Sequence, residues 1–160
     1  MRAIGIILLV LASVLFGNLF SAESKKGVGE LKSFVGFLSF AAERAACYFE
    51  PSRITAEKYS DPYLENTGFL AELRSGEAIN APLSRLIGKL DVDSRDRREL
   101  TALAEGIELN SCEGYSKGLN SLSDAAARVY TKRAAELDGR SRAVKISAVS
   151  IGLGLAILLI

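Results

Sequence analysis

The apolar and polar positions divide the 160-residue chain into two uncharged ends and a long amphipathic middle. From Ala3 to Ala22 no residue is charged, and twenty residues at 1.5 Å of rise match a hydrocarbon core of roughly 30 Å. A membrane helix is therefore expected over residues 1–24. A secretory signal peptide is the rival, since Arg2 supplies a basic start and Ala22 could precede a cleavage site; Phe20 is bulky where such a site wants a small residue, which favours a retained anchor. At the other end the fifteen residues from Ile146 to Ile160 cover only about 22 Å as a helix. Val144 and Lys145, whose ammonium can snorkel on its aliphatic stem, extend this to about 25 Å, the lower edge for a span. A second membrane helix is expected over residues 143–160, continuous with the helix before it. The alternative is a buried core helix, although Ser147 and Ser150 are its only polar side chains.

Between the ends, residues 27–142 carry the period of amphipathic helices and no β alternation. Leu31, Phe34, Val35, Leu38, Ala41, Ala42, Ala45, Ala46 and Phe49 recur at three and four, and Pro51 stands where that helix must end. Ser60-Asp61-Pro62 opens a helix through Leu64, Phe69, Leu70 and Leu73 that stops at Gly76, and Asn80-Ala81-Pro82 opens another through Leu83, Leu86, Ile87 and Leu90. The charged run from Asp91 to Glu99 starts a helix carrying Leu100, Leu103, Ile107 and Leu109. From Glu113 onward Tyr115, Leu119, Leu122, Ala126, Val129 and Leu137 continue at helical spacing toward the terminal span, with Gly139 the one weak point. The expected fold is all-α: a small antiparallel bundle of about five to six helices, flanked by N- and C-terminal transmembrane helices.

Composition narrows the function more than it names it. Twenty basic and 19 acidic residues give a formal charge of +1, too little to gather nucleic acid. Histidine is absent, which removes the usual proton shuttle near neutral pH and the commonest transition-metal ligand. Gly27-Val28-Gly29 and Gly88-Lys89 lack the spacing of a phosphate loop, and no GxSxG elbow occurs. Asp91, Asp93 and Asp96 lack the central glycine and closing glutamate of a calcium loop. No catalytic, cofactor-binding or metal residue is assigned, no cofactor is expected, and the chain reads as a non-enzyme. Arg95, Arg97 and Arg98 are interleaved with acids and read as a solvated face. Cys47 and Cys112, among apolar neighbours, are expected to be buried thiols. Asn18, within the first span, either bonds to a neighbouring helix or sits at the interface.

Orientation follows from the basic residues flanking each span. Lys25, Lys26 and Lys32 stand against Arg2 at the first, and Lys132, Arg133, Arg140, Arg142 and Lys145 against none at the second. The bundle is expected in the cytoplasm, with both termini outside.

The N-terminal span, the FLSF stretch from Phe37 to Phe40, Cys47 with Pro51 and Ile54, the Gly68-Phe69 pair and the terminal GLGLAILLI together resemble the stage III sporulation protein AB family, over nearly the whole chain. The pattern departs from that family at Ile107-Glu108 and Tyr115. The resemblance implies a mother-cell membrane protein of a channel complex between mother cell and forespore. Its soluble fold would be similar to the cytoplasmic domains of type II secretion and type IV pilus platform proteins. It implies a scaffold that touches lipid and other channel subunits and docks a secretion-type ATPase; homo-oligomerisation is left open. The alternative is a membrane-anchored receptor or sensor whose helical domain binds a ligand outside the cytoplasm.

Overall fold

The computed structural model describes the backbone of residues 2–158 and the side chains of residues 25–139 with Ala143, Ser147 and Ser150. Among these residues there are seven helices and no strand: α1 (Arg2–Tyr48), α2 (Ser52–Lys58), α3 (Pro62–Asn66), α4 (Phe69–Arg74), α5 (Asn80–Lys89), α6 (Ser94–Glu105) and α7 (Cys112–Leu158). The chain divides into two compact units, Val28–Thr131 and Met1–Gly27 with Lys132–Ile160. Gly139 does not interrupt α7, which is one continuous helix of 47 residues. Among the described residues no helix is long and apolar enough to cross a membrane. The two spans expected at 1–24 and 143–160 rest on apolar side chains, Asn18 among their neighbours, that lie almost entirely outside the described residues.

Within Val28–Thr131 the core begins on α1. Leu31, Phe34, Leu38, Ala41, Ala42 and Ala45, spaced by three and four, are buried together with Phe37. Phe37 meets Phe69 edge-on at 5.0 Å and Tyr59 at 5.4 Å, the geometry that ring quadrupoles favour. The face ends one turn earlier than its spacing predicts: Ala46 and Phe49 are both exposed. From α7, Leu119, Leu122, Ala125, Ala126 and Val129 close the same core, and a hydrogen bond of 3.1 Å between the Ser39 and Ser123 hydroxyls links the two long helices.

The segment between them is more finely divided than its pattern suggests. α2 carries no large apolar stripe and buries only Thr55 and Ala56, so periodicity does not reveal it. The single helix expected from Ser60 to Gly76 is two, because the chain reverses at Gly68, whose φ of 81° suits glycine and few others. Asp61 organises this region. One carboxylate oxygen accepts the N–H groups of Tyr63 and Leu64 at 3.0 and 3.1 Å, capping α3, and the other accepts the Ser33 hydroxyl of α1 at 2.9 Å. Arg74 then staples three elements. It donates to the carbonyls of Ala56 and Tyr59 at 3.0 and 3.1 Å and holds both oxygens of Glu65 at 3.0 and 2.8 Å.

At α6 the expected apolar run through Leu109 is cut at Gly106. Ile107 is buried outside the helix and Leu109 is half-exposed. Asn80 fastens this end by donating to the carbonyls of Glu105 and Ile107 at 3.2 and 3.1 Å. Gly118 of α7 lets Ile107 approach: a Cβ there would lie 3.1 Å from the isoleucine side chain and 3.2 Å from its Cα.

Candidate functional site

The large apolar side chains that Val28–Thr131 leaves exposed are Tyr48, Phe49, Ile54 and Leu109. Two of them share a cavity at the end of α1, where the backbone is also strained. Pro51 disfavours helical backbone at Glu50, so α1 must close before it. It does so through Phe49 at φ 54°, the left-handed region, with the Glu50 N–H donating back to the Arg44 carbonyl at 3.4 Å. Glycine ordinarily makes this closure; a residue with a Cβ gives up about 1–2 kcal/mol to make it.

Arg44 and Glu50 hold the turn in that shape. The Arg44 guanidinium lies over the Phe40 ring at 5.2 Å and the Tyr48 ring at 4.9 Å, and pairs with the Glu50 carboxylate at 3.7 Å. Lys58 of α2 binds the same carboxylate oxygen. Between these paired groups, at the closing turn of the helix, Phe49 is 69% exposed.

Around Phe49 the surface is concave. A groove of about 640 Å³ runs between the end of α1 and the start of α7, past Ala45, Phe49 and Cys112. A second cavity of about 260 Å³, floored by Pro51 and Tyr115, shares those three residues and adds Leu109. A third, of about 490 Å³, joins the first along Glu113 and Lys117 and reaches Leu103 of α6. The charged lining of the three is Glu108, Glu113 and Asp124 against Lys117, with Glu50 already paired to Arg44 and Lys58, so an apolar centre sits within a border that is acidic on the α7 side. Burial against the cavity floor pushes the Tyr115 phenol up to about 12, an effect opposed by its hydrogen bond with Ser52.

Both cysteines differ from expectation. Cys47 and Cys112 are free and exposed, Cys47 next to the last residue of α1 beside the exposed Ala46 and Tyr48, and Cys112 at the first residue of α7. The charged run behaves in two ways. Arg97 is half-buried and donates to the Leu90 carbonyl at 2.9 Å, tying α6 to the end of α5, whereas Arg95 and Arg98 are exposed and Glu99 pairs with Arg128 of α7 at 3.4 Å. No group of three His, Cys, Asp or Glu side chains able to hold a metal occurs among the described residues.

Sequence pattern placed Phe49 on the core face, since its spacing from Ala45 and Ala46 is helical. The overriding signal was present two residues later, in Pro51. What the arrangement can do is bind: a strained aromatic anchor beside a groove is the form of an interaction hot spot. No family model, curated protein or solved structure matches the chain.

Proposed function

We propose that the chain is a non-enzymatic membrane platform subunit, akin to stage III sporulation protein AB, whose cytosolic bundle docks a secretion-type ATPase through the Phe49–Leu109 surface. Residues 3–22 and 146–160 serve as its membrane anchors in the mother-cell membrane and pack with other channel subunits. The observation that carries the docking role is Phe49, a large aromatic residue left 69% exposed beside a groove, at a left-handed backbone position that costs stability. The acidic border supports a partner surface bearing basic residues around an apolar centre.

The test is co-purification of the full-length chain, in mild detergent, with the candidate ATPase. F49D together with L109D is expected to abolish retention while intrinsic tyrosine fluorescence stays native. Retention unchanged by both substitutions would refute this docking surface. Orientation can be read with the native thiols, since Cys47 and Cys112 are exposed. A membrane-impermeant maleimide should leave them unlabelled in intact cells and label them after lysis; labelling in intact cells would favour the sensor reading.

A further inference from the structure

The outward face of α7 carries a charge pattern with a symmetry of its own. Glu113, Lys117, Asn120, Ser121, Asp124 and Arg128 are all exposed, and their helical spacing keeps them within about a third of the circumference. Counted from the midpoint between Asn120 and Ser121, Glu113 and Arg128 lie equally far on either side, and so do Lys117 and Asp124. Each acid therefore has a base at its mirror position. Two cavities run beside this stripe, about 640 Å³ toward the end of α1 and about 490 Å³ toward α6. Glu113, Lys117 and Ser121 border both, so the stripe stands as a ridge between two grooves. Among the described residues Glu113, Lys117 and Asp124 make no ion pair within the chain, and Arg128 reaches only the exposed Glu99 at 3.4 Å.

We propose that this face pairs with the same face of a second copy of the chain, about a two-fold axis that crosses α7 between Asn120 and Ser121. The two α7 helices then run antiparallel. The axis sets Glu113 against the partner's Arg128 and Lys117 against the partner's Asp124, and isologous symmetry makes each contact twice. Asn120 and Ser121 meet at the axis, where short polar side chains let the backbones approach and hydrogen-bond across it. A parallel pairing would oppose like charges at all four charged positions, so the pattern selects the direction as well as the partner. The pairing goes beyond ATPase docking and does not rest on it: Leu109 lies outside the stripe, and F49D with L109D leaves its charges unchanged. Because α7 runs in opposite directions in the two copies, the pairing joins chains that are not oriented by one common bilayer, and it is measured in detergent solution.

The experiment follows the full chain in mild detergent by sedimentation equilibrium, with far-UV circular dichroism to confirm native helix. K117D alone and D124K alone each replace two attractive contacts by two repulsive ones. At a factor of about two to five for each exposed pair, either should weaken self-association by about 4- to 25-fold or more. Mixing the two variants should restore association to near wild type, because the mixed pair has attractive contacts at both positions and no repulsive one. K117D/D124K in a single chain should restore it as well. That swap sets like charges beside Glu113 and Arg128 one turn away on the same helix, so a face built only for pairing within α7 would be harmed by it. Association of wild type should also fall as salt is raised to about 0.5 M. A wild-type chain that stays monomeric at about 0.1 mM, single variants that self-associate as wild type does, or a mixture no tighter than its components each overturns the two-fold pairing.

Discussion

The exposure of Phe49 can be separated from the fold by a single substitution, F49G. With the side chain 69% exposed, about a third of it is covered. A phenylalanine ring buries about 150–250 Å² when enclosed, so the covered part is roughly 50–80 Å², or about 1–2 kcal/mol at 25 cal/mol per Å². Glycine also brings unfolded-chain entropy of about 0.5–1 kcal/mol. Against these losses stands relief of the left-handed backbone at φ 54°, about 1–2 kcal/mol. The balance is a destabilisation of about 1 kcal/mol, small for deleting an aromatic side chain, whereas truncating a buried phenylalanine costs about 3–5 kcal/mol. The chain has five tyrosines and no tryptophan. All five, Tyr48, Tyr59, Tyr63, Tyr115 and Tyr130, lie in Val28–Thr131, so tyrosine fluorescence in a urea titration reports this unit selectively. F49G should move the midpoint only slightly while removing ATPase retention. A loss above about 3 kcal/mol would mean that Phe49 is a core residue, and would refute the reasoning that it is left exposed for a partner.

Other substitutions follow from the bundle's joints. R74A leaves the carbonyls of Ala56 and Tyr59 without their donor and Glu65 without its partner, and should cost about 2 kcal/mol; R74K should recover only part, because an ammonium cannot reach all four oxygens at once. Both are read in the same urea titration, and R74A within experimental error of wild type would refute the staple. G118A drives a methyl group into Ile107 and should cost about 1–3 kcal/mol in thermal unfolding, whereas G29A, with nothing within 4 Å, should be neutral or stabilising. Tyr115 titrates higher in the folded chain than its usual value near 10, so the folded state holds that proton more tightly. Its contribution is complete below about pH 10 and is lost as the pH rises toward about 12. Stability measured from pH 9 to 12, roughly, should therefore fall less steeply in Y115F than in wild type, and parallel curves would refute the assignment.

Sequence pattern carried the long helices because burial enforces it there. Leu31, Phe34, Leu38 and Ala41 on α1, and Leu119, Leu122 and Ala126 on α7, are core residues at helical spacing, and each sits where its period places it. The short elements were illegible for a different reason. α2 spans seven residues and buries two small side chains, fewer than two turns of periodic signal, and it is fixed by tertiary contacts such as the Arg74 bond to Ala56. Gly68 separates α3 from α4 by one backbone angle, which leaves the apolar spacing of Leu64, Phe69, Leu70 and Leu73 looking continuous.

The candidate site was hidden by that same averaging. Periodicity assigns a face to every apolar residue in register, and at the close of a helix the register outlives the helix. Phe49 and Leu109 were each placed inward by spacing alone and are each exposed, because Pro51 ends α1 and Gly106 ends α6 before the pattern does; Ala46, still within the last turn of α1, is exposed as well. Cys112 reaches the surface at the first residue of α7. Where helices end, therefore, apolar residues left over from the core pattern gather on one surface without any polar motif to announce them. In this chain the two helix ends meet across a shared cavity that takes Phe49 from one and Leu109 from the other. Neither residue alone makes a binding surface. Their pairing depends on the length of the intervening chain and on the Asn80 bonds that fasten the carbonyls of Glu105 and Ile107. N80A should for that reason weaken ATPase retention without touching the surface, through a displaced Leu109. Retention equal to wild type in N80A would show that the two apolar residues act independently.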